Sequence, residues 1–147
     1  MAENTSQTNQ YKNVTELVDV MLREAIKRRA SDIHIEPGRD SLQIRFRVDG
    51  FLKPFETFEK RTQEEIISRI KVLANMEIME KRFPQDGHFE IYDENGKIYN
   101  LRTSTFPASF GEAMVLRLLN RKDAMMDLAG LGFEFDQLAI LRKIIAQ

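Results

Sequence analysis

Apolar residues at Val14, Leu17, Val18, Met21, Leu22 and Ala25 recur at the three- and four-residue spacing of one helix face. The spacing predicts an amphipathic helix from Val14 to about Arg29, opened by Asn13 and Glu16 in the form of a capping box. Lys27, Arg28 and Arg29 fall in its last turn, where cations complement the helix dipole. Period two then takes over. Ile33 and Ile35 alternate with Asp32, His34 and Glu36, the Pro37–Asp40 stretch turns the chain, and Ile44, Phe46 and Val48 alternate with Arg45, Arg47 and Asp49. This is the pattern of a half-buried antiparallel hairpin. Asp49 and Gly50 supply a second tight turn into Phe51–Phe58, a third strand whose Pro54 points to an edge position.

Thr62 with Glu65 can cap a second helix, with Ile66, Ile67, Ile70, Leu73 and Ala74 on its apolar face and an end near Met76. Pro84 to Gly87 breaks the chain, His88 to Tyr92 reads as a strand, Asn95 and Gly96 make a hairpin turn, and Lys97 to Thr105 returns. Phe106 to Gly111 turns again into Glu112 to Leu119. After a loop ending in Leu131, Gly132 and Phe133, residues from about Asp136 to Ala146 have helical spacing, with Leu138, Leu141 and Ile145 on one face. Helix, three strands, helix, three strands, helix, joined by hairpin-length connections, is an α+β chain in which a sheet of about six antiparallel strands carries packed helices.

Composition sharpens this picture only in part. At 147 residues, 42% hydrophobic and 31% charged, the chain is one domain's worth of foldable sequence. Residues 1–12 are polar and patternless and read as a flexible tail. A net charge of -1 gives no overall basic field, so nucleic acid is not an expected partner and any anion site must be local. No cysteine is present, which excludes disulfides and cysteine zinc sites, and no apolar run reaches membrane-spanning length. The expected compartment is cytoplasmic.

Two constellations bear on chemistry. Asp32, His34 and Glu36 alternate along one strand and so share a face. They form either a metal-ligand set or, with Arg45 and Arg47 across the hairpin, an ordinary row of opposite charges. His88 follows a turn and reads as a surface residue. The other constellation lies in Leu101–Asn120, where Arg102 and Arg117 stand among apolar neighbours on two strands of a predicted hairpin. If paired residue numbers there sum to an odd value, the two guanidinium groups share a face, and like charges in that position call for an anion. A phosphate would accept charge-assisted hydrogen bonds from both forks, whereas Glu112 or another carboxylate would make a structural ion pair instead. The phosphate-cradling pattern G-x-x-x-x-G-K-[ST] does not occur, and no nucleophile arrangement stands out, so the chain by itself is not expected to be an enzyme.

RASDIHIEP, RFRVDG, EKRFPQDG, LRTST followed by FGEAMVLRLL, and LGF occur in that order along the chain. In order and approximate spacing they resemble the N-terminal PAS-like domain of the type II secretion and type IV pilus assembly ATPases, over nearly all of Val14–Gln147. The resemblance implies a PAS-like domain over residues 13–133, a helix at 134–147 leading to a RecA-like motor domain, and a Walker motif beyond Gln147. It implies ATP and Mg2+ held by that motor domain, with none expected here. Arg102 and Arg117 would reach the terminal phosphates when the domains close, in the manner of arginine fingers. It further implies a homohexamer built by docking on a neighbouring motor domain, and attachment at the inner membrane through platform proteins. The alternative is a self-sufficient PAS-like sensor of a small ligand. The sequence departs from the family pattern at Arg29, where Gly is usual and a different helix exit is implied, at His88, where Arg is usual, and at Thr103, where Val is usual.

Overall fold

The computed structural model describes residues 10–119 and 132–145. Its elements run α1 (Val14–Lys27), β1 (Asp32–Pro37), β2 (Ser41–Val48), β3 (Phe51–Glu59), α2 (Gln63–Leu73), β4 (Gln85–Tyr92), β5 (Ile98–Ala108), β6 (Gly111–Leu119) and α3 (Phe135–Ile145). All six strands join one sheet in the order β3-β2-β1-β6-β5-β4, and each adjacent pair is antiparallel. The chain is thus α+β with a six-stranded antiparallel sheet, as the alternating pattern predicts. Two three-stranded meanders, β1–β3 and β4–β6, meet along β1 and β6, which is the one non-local seam of the sheet.

Strand pairing places side chains row by row. Phe46, Ile33, Leu116, Thr103 and Gly87 lie opposite one another across β2, β1, β6, β5 and β4. Of these, the first four are buried. Ile35, Ile44, Leu42, Met114 and Leu101 continue the same buried face. From α1, Leu17, Val18, Met21, Leu22 and Ala25, and from α2, Ile66, Ile67 and Ile70, close one core against it. Because successive residues of a strand face opposite ways, the residues between these apolar ones make up the other, polar face of the sheet.

Several boundaries differ from expectation for identifiable reasons. α1 ends at Lys27, two residues early. Its exit is a Schellman motif in which the Ala30 N–H donates to Ala25 O and the Arg29 N–H to Ile26 O, at 2.9 and 3.0 Å, with Arg29 in the left-handed region at φ 56. Arg29 therefore takes the exit that Gly would take, and the different exit implied by its side chain is not what forms. α2 leaves in the same way through Asn75 at φ 56, with Met76 N–H donating to Lys71 O, so the helix stops at Leu73. At its start Thr62 makes no side-chain cap. A 3-10 turn over Lys60–Thr62 leads into the helix instead.

β4 starts at Gln85, ahead of the expected His88, because Gly87 lets the strand lie directly on the end of α2: a Cβ there would collide with Ala74 O. The β5–β6 turn is shorter than the expected Phe106–Gly111 and consists of Ser109 and Phe110, since Ala108 already pairs with Gly111. The β2–β3 turn is Asp49–Gly50, with φ 51 and 81 as a type I′ hairpin requires. β3 lies at the sheet edge, and Pro54 sits beside a register shift that turns Phe55 inward to stack on Phe46 at 4.7 Å. Most of the predicted tail, the loop at 120–131 and the end of the last helix at Ala146 lie outside the described residues, and α3 spans Phe135–Ile145.

Candidate functional site

The register of β5 and β6 sets Arg102 directly opposite Arg117, a pair whose numbers sum to an odd value, so both guanidinium groups belong to the polar face. The row continues on either side. Arg117 stands opposite Asp32 of β1, Asp32 opposite Arg47 of β2, and Arg102 opposite His88 of β4. Five strands thus carry one transverse line of Arg47, Asp32, Arg117, Arg102 and His88. Neighbouring strands are spaced about 4.8 Å apart, so the charges sit within one another's Coulomb range.

Asp32 is the buried member of this line, at 6% exposed. Arg117 Nε donates to its Oδ1 at 3.0 Å, Ser31 Oγ donates to Oδ2 at 2.9 Å, and Arg47 Nε lies 3.6 Å from Oδ2. The Arg117 side chain is 67% exposed beyond that anchor. Arg102 is exposed and has no hydrogen bond or ion pair with any described residue. The two arginines line an open depression of about 850 Å³, shared with His88, Asn100, Ser104 and Asp86, whose carboxylate accepts from Ser104 Oγ. Asp32 engages Arg117 and Asp86 lies on the Ser104 side of the depression, so its positive charge is concentrated at the Arg102 and Arg117 guanidinium groups.

Two sequence expectations meet different fates here. Glu112, considered as a neutraliser of the arginines, points to the opposite face: it differs from Arg117 by an odd number of positions along β6. There it forms a buried ion pair with Lys71, 2.7 Å from Oε1 to Nζ, the side chains being 6% and 1% exposed respectively. Lys71 Nζ also donates to Glu80 O at 2.6 Å, which ties α2, β6 and the segment before β4 together. The carboxylate that does engage Arg117 is Asp32, 85 residues away, through the non-local β1–β6 seam. Asp32, His34 and Glu36 share a face as expected. Asp32 is occupied as above, and both oxygens of Glu36 accept from Arg45 Nη2 at 2.7 and 2.6 Å, so the charged-row reading holds. Among the described residues no group of three or more acidic or histidine side chains is arranged to hold a metal ion.

The segment ahead of β4 has its own internal supports. Glu80 accepts from the Arg82 and Phe83 N–H groups, and this holds its carboxyl below the usual range. Lys81 Nζ donates to Glu64 Oε1 at 2.8 Å, which lowers the Glu64 carboxyl and raises the Lys81 ammonium. Met79 and Phe83 are left exposed on this braced segment. Elsewhere, the Tyr11 hydroxyl is raised above its ordinary range by burial and by donation to Glu56 Oε2 at 2.7 Å, and its ring packs near Phe58. No helix of the described residues is long and apolar enough to cross a membrane.

The chain has counterparts among known proteins. Type II secretion system protein E of Klebsiella pneumoniae is 48% identical over 119 residues, which is 81% of this chain and 24% of that protein. The type IV pilus assembly ATPase PilB of Myxococcus xanthus is 39% identical over 132 residues, 90% of this chain and 23% of that protein. The chain therefore spans about a quarter of the length of the curated relatives it matches. Among solved structures, the Legionella pneumophila ATPase DotB shares the fold over 70% of this chain and 29% of its own, with a TM-score of 0.50 at 21% identity. The family model described as type II/IV secretion system protein matches residues 7–147, and the chain belongs to that family.

Proposed function

We propose that this chain is the N-terminal domain of a hexameric ATPase that drives type II protein secretion or type IV pilus assembly, and that Arg102 and Arg117 are its contribution to ATP held by a motor domain. The observation that carries the reading is the Arg102–Arg117 pair, directly opposite on an exposed sheet face with a single carboxylate between them and Arg47. Two guanidinium groups one strand apart are a poor structural pairing, and a good cradle for the terminal phosphates of a nucleotide. Positive charge fixed on a sheet costs no reorganisation when negative charge develops on a transferring phosphoryl group. ATP and Mg2+ belong to the motor domain in this reading, and this domain closes over them from its own or a neighbouring subunit. The work is cytoplasmic, at the inner membrane through platform proteins.

A stand-alone small-ligand sensor would need a cavity between sheet and helices, where Phe46, Phe58, Met21 and Lys71 are fully buried instead. The test is ATP turnover by the full-length protein carrying Arg102→Ala or Arg117→Ala. Each should lower kcat by about 1,000-fold or more, in the range of other contributed arginines, with the hexamer intact by light scattering. Unchanged turnover in an intact hexamer overturns the reading. The 147-residue chain alone should bind ATP weakly, and submicromolar affinity by calorimetry would contradict a contributed role.

A further inference from the structure

We propose that Asp32 is a positioning residue for the arginine pair: it holds Arg117 through Nε, so that this guanidinium stands fixed opposite Arg102 with its terminal amino groups open to a phosphate. The inference rests on the reading above and deepens it.

Arg117 is a long side chain, 67% exposed, set against a like charge. Left to itself it would spread over many rotamers and swing away from Arg102, and a phosphate would have to gather it back. Asp32 removes that freedom because it is itself immobile. Its side chain is 8% exposed, Ser31 Oγ donates to one oxygen, and the neighbouring Ser31 backbone is pinned from both sides, its N–H donating to Arg47 O and its carbonyl accepting from Leu118 N–H, each at 2.9 Å. The contact uses only Arg117 Nε, at 3.0 Å. Nη1 and Nη2 have no partner among the described residues, so the fork suited to two phosphate oxygens stays available. Nor does the carboxylate cancel the attraction. Arg47 spends Nη1 on Gly50 O at 3.0 Å and its Nε faces Asp32, so Arg47, Arg117 and Arg102 against one Asp32 leave the row positive. This gives the Ser31–Asp32 step of the RASD motif a purpose.

The test measures ATP turnover by the full-length protein with Asp32→Asn, which keeps the side chain's shape and removes its charge, alone and combined with Arg117→Ala. A residue that acts through Arg117 should lower kcat about 10-fold when changed alone, with KM for ATP within about 2-fold, and should cost nothing further in the Arg117→Ala background. A loss of the same size in that background would show a merely structural role and overturn the proposal. So would a gain in turnover, which is what simple removal of a negative charge near an anion site gives. If Asp32→Asn does not fold, Ser31→Ala serves, since it keeps the carboxylate and loosens it. A loss confined to the Arg117-containing protein supports the proposal, and none overturns it. If Arg102→Ala and Arg117→Ala are themselves silent, the contributed-arginine reading has failed first. If they are not and Asp32→Asn is, the failure belongs to Asp32 alone.

Discussion

Thr103 and Thr105 are two copies of one experiment. Both lie on β5, both face the helices, and each is 1% exposed. Thr105 Oγ1 accepts from Gln85 N–H at 3.2 Å, whereas Thr103 Oγ1 has no partner among the described residues. Thr103 stands between Leu116 and Gly87 in the apolar row, where no described residue offers it a hydrogen bond. Val has nearly the same shape, so Thr103→Val opens no cavity and removes only the stranded hydroxyl. An unpaired buried hydroxyl costs about 1–3 kcal/mol on the protein mutational scale, and Val favours strands as Thr does. Thr103→Val should therefore stabilise the chain by about 1–2 kcal/mol, which at this size raises Tm by about 3–6 °C. Thr105→Val strips the Gln85 N–H of its acceptor and should destabilise by about 0.5–1.5 kcal/mol. Urea unfolding followed by circular dichroism measures both, provided the slope m is unchanged. The two substitutions should differ in sign. Equal destabilisation by both would refute the reasoning and show that the Thr103 hydroxyl is satisfied.

Other perturbations test the same physics elsewhere. Arg29→Gly relieves a left-handed residue, worth about 1–2 kcal/mol, against about 0.5–1 kcal/mol of added unfolded-chain entropy, so a net gain near 0.5–1 kcal/mol is expected in thermal unfolding, with Arg29→Ala giving none. Lys71→Met leaves the buried Glu112 carboxylate alone and should cost about 3–5 kcal/mol in urea unfolding, while Lys71→Met with Glu112→Leu should recover most of that loss and keep a deficit of about 1–2 kcal/mol from the Glu80 carbonyl that loses its donor. Glu80, held below the usual carboxyl range by the Arg82 N–H, supports its turn fully above the unfolded carboxyl range and loses that support as pH falls through its depressed value. Amide exchange at Arg82 and Phe83, corrected for intrinsic rate, should quicken over that fall while β5 amides do not change.

What the sequence revealed and concealed follows the distance over which each feature is set. The period-two runs of β1 and β2 and the Asp49–Gly50 turn are local, and both formed as written. Helix ends depended on backbone conformation at Arg29 and Asn75, which side-chain chemistry signals weakly: Asn enters the left-handed region more readily than most residues, and Arg enters it here without any such preference. β4 began early because Gly87 meets Ala74, a tertiary contact that no local rule contains. At the site, Arg102 and Arg117 were legible as a possible pair, and the odd sum of their numbers was confirmed by register. Asp32 was legible as a metal-ligand candidate or as a partner of Arg45 and Arg47 across the hairpin, and not as a partner of Arg117, because the β1–β6 seam that brings Arg117 to its other side joins residues 85 apart. The exclusion of Glu112 was available all along in its odd offset from Arg117.

That seam also explains why the row sits where it does. β1 and β6 are the central strands, each paired on both sides, so their backbones are the least free to move in the sheet. Asp32 and Arg117 are opposed there, and the apolar residues next to them, Ile33 and Leu116, are opposed on the other face and fully buried. A shift of β1 by one residue would send Asp32 into the core and Ile33 into water, and a shift of β6 would do the same to Arg117 and Leu116. The hydrophobic core thus fixes the register, and the register fixes which charges meet. Arg102 lies one strand further out, exposed and bound to no described side chain, beside an arginine already held in place, which is the arrangement the proposed phosphate contact requires.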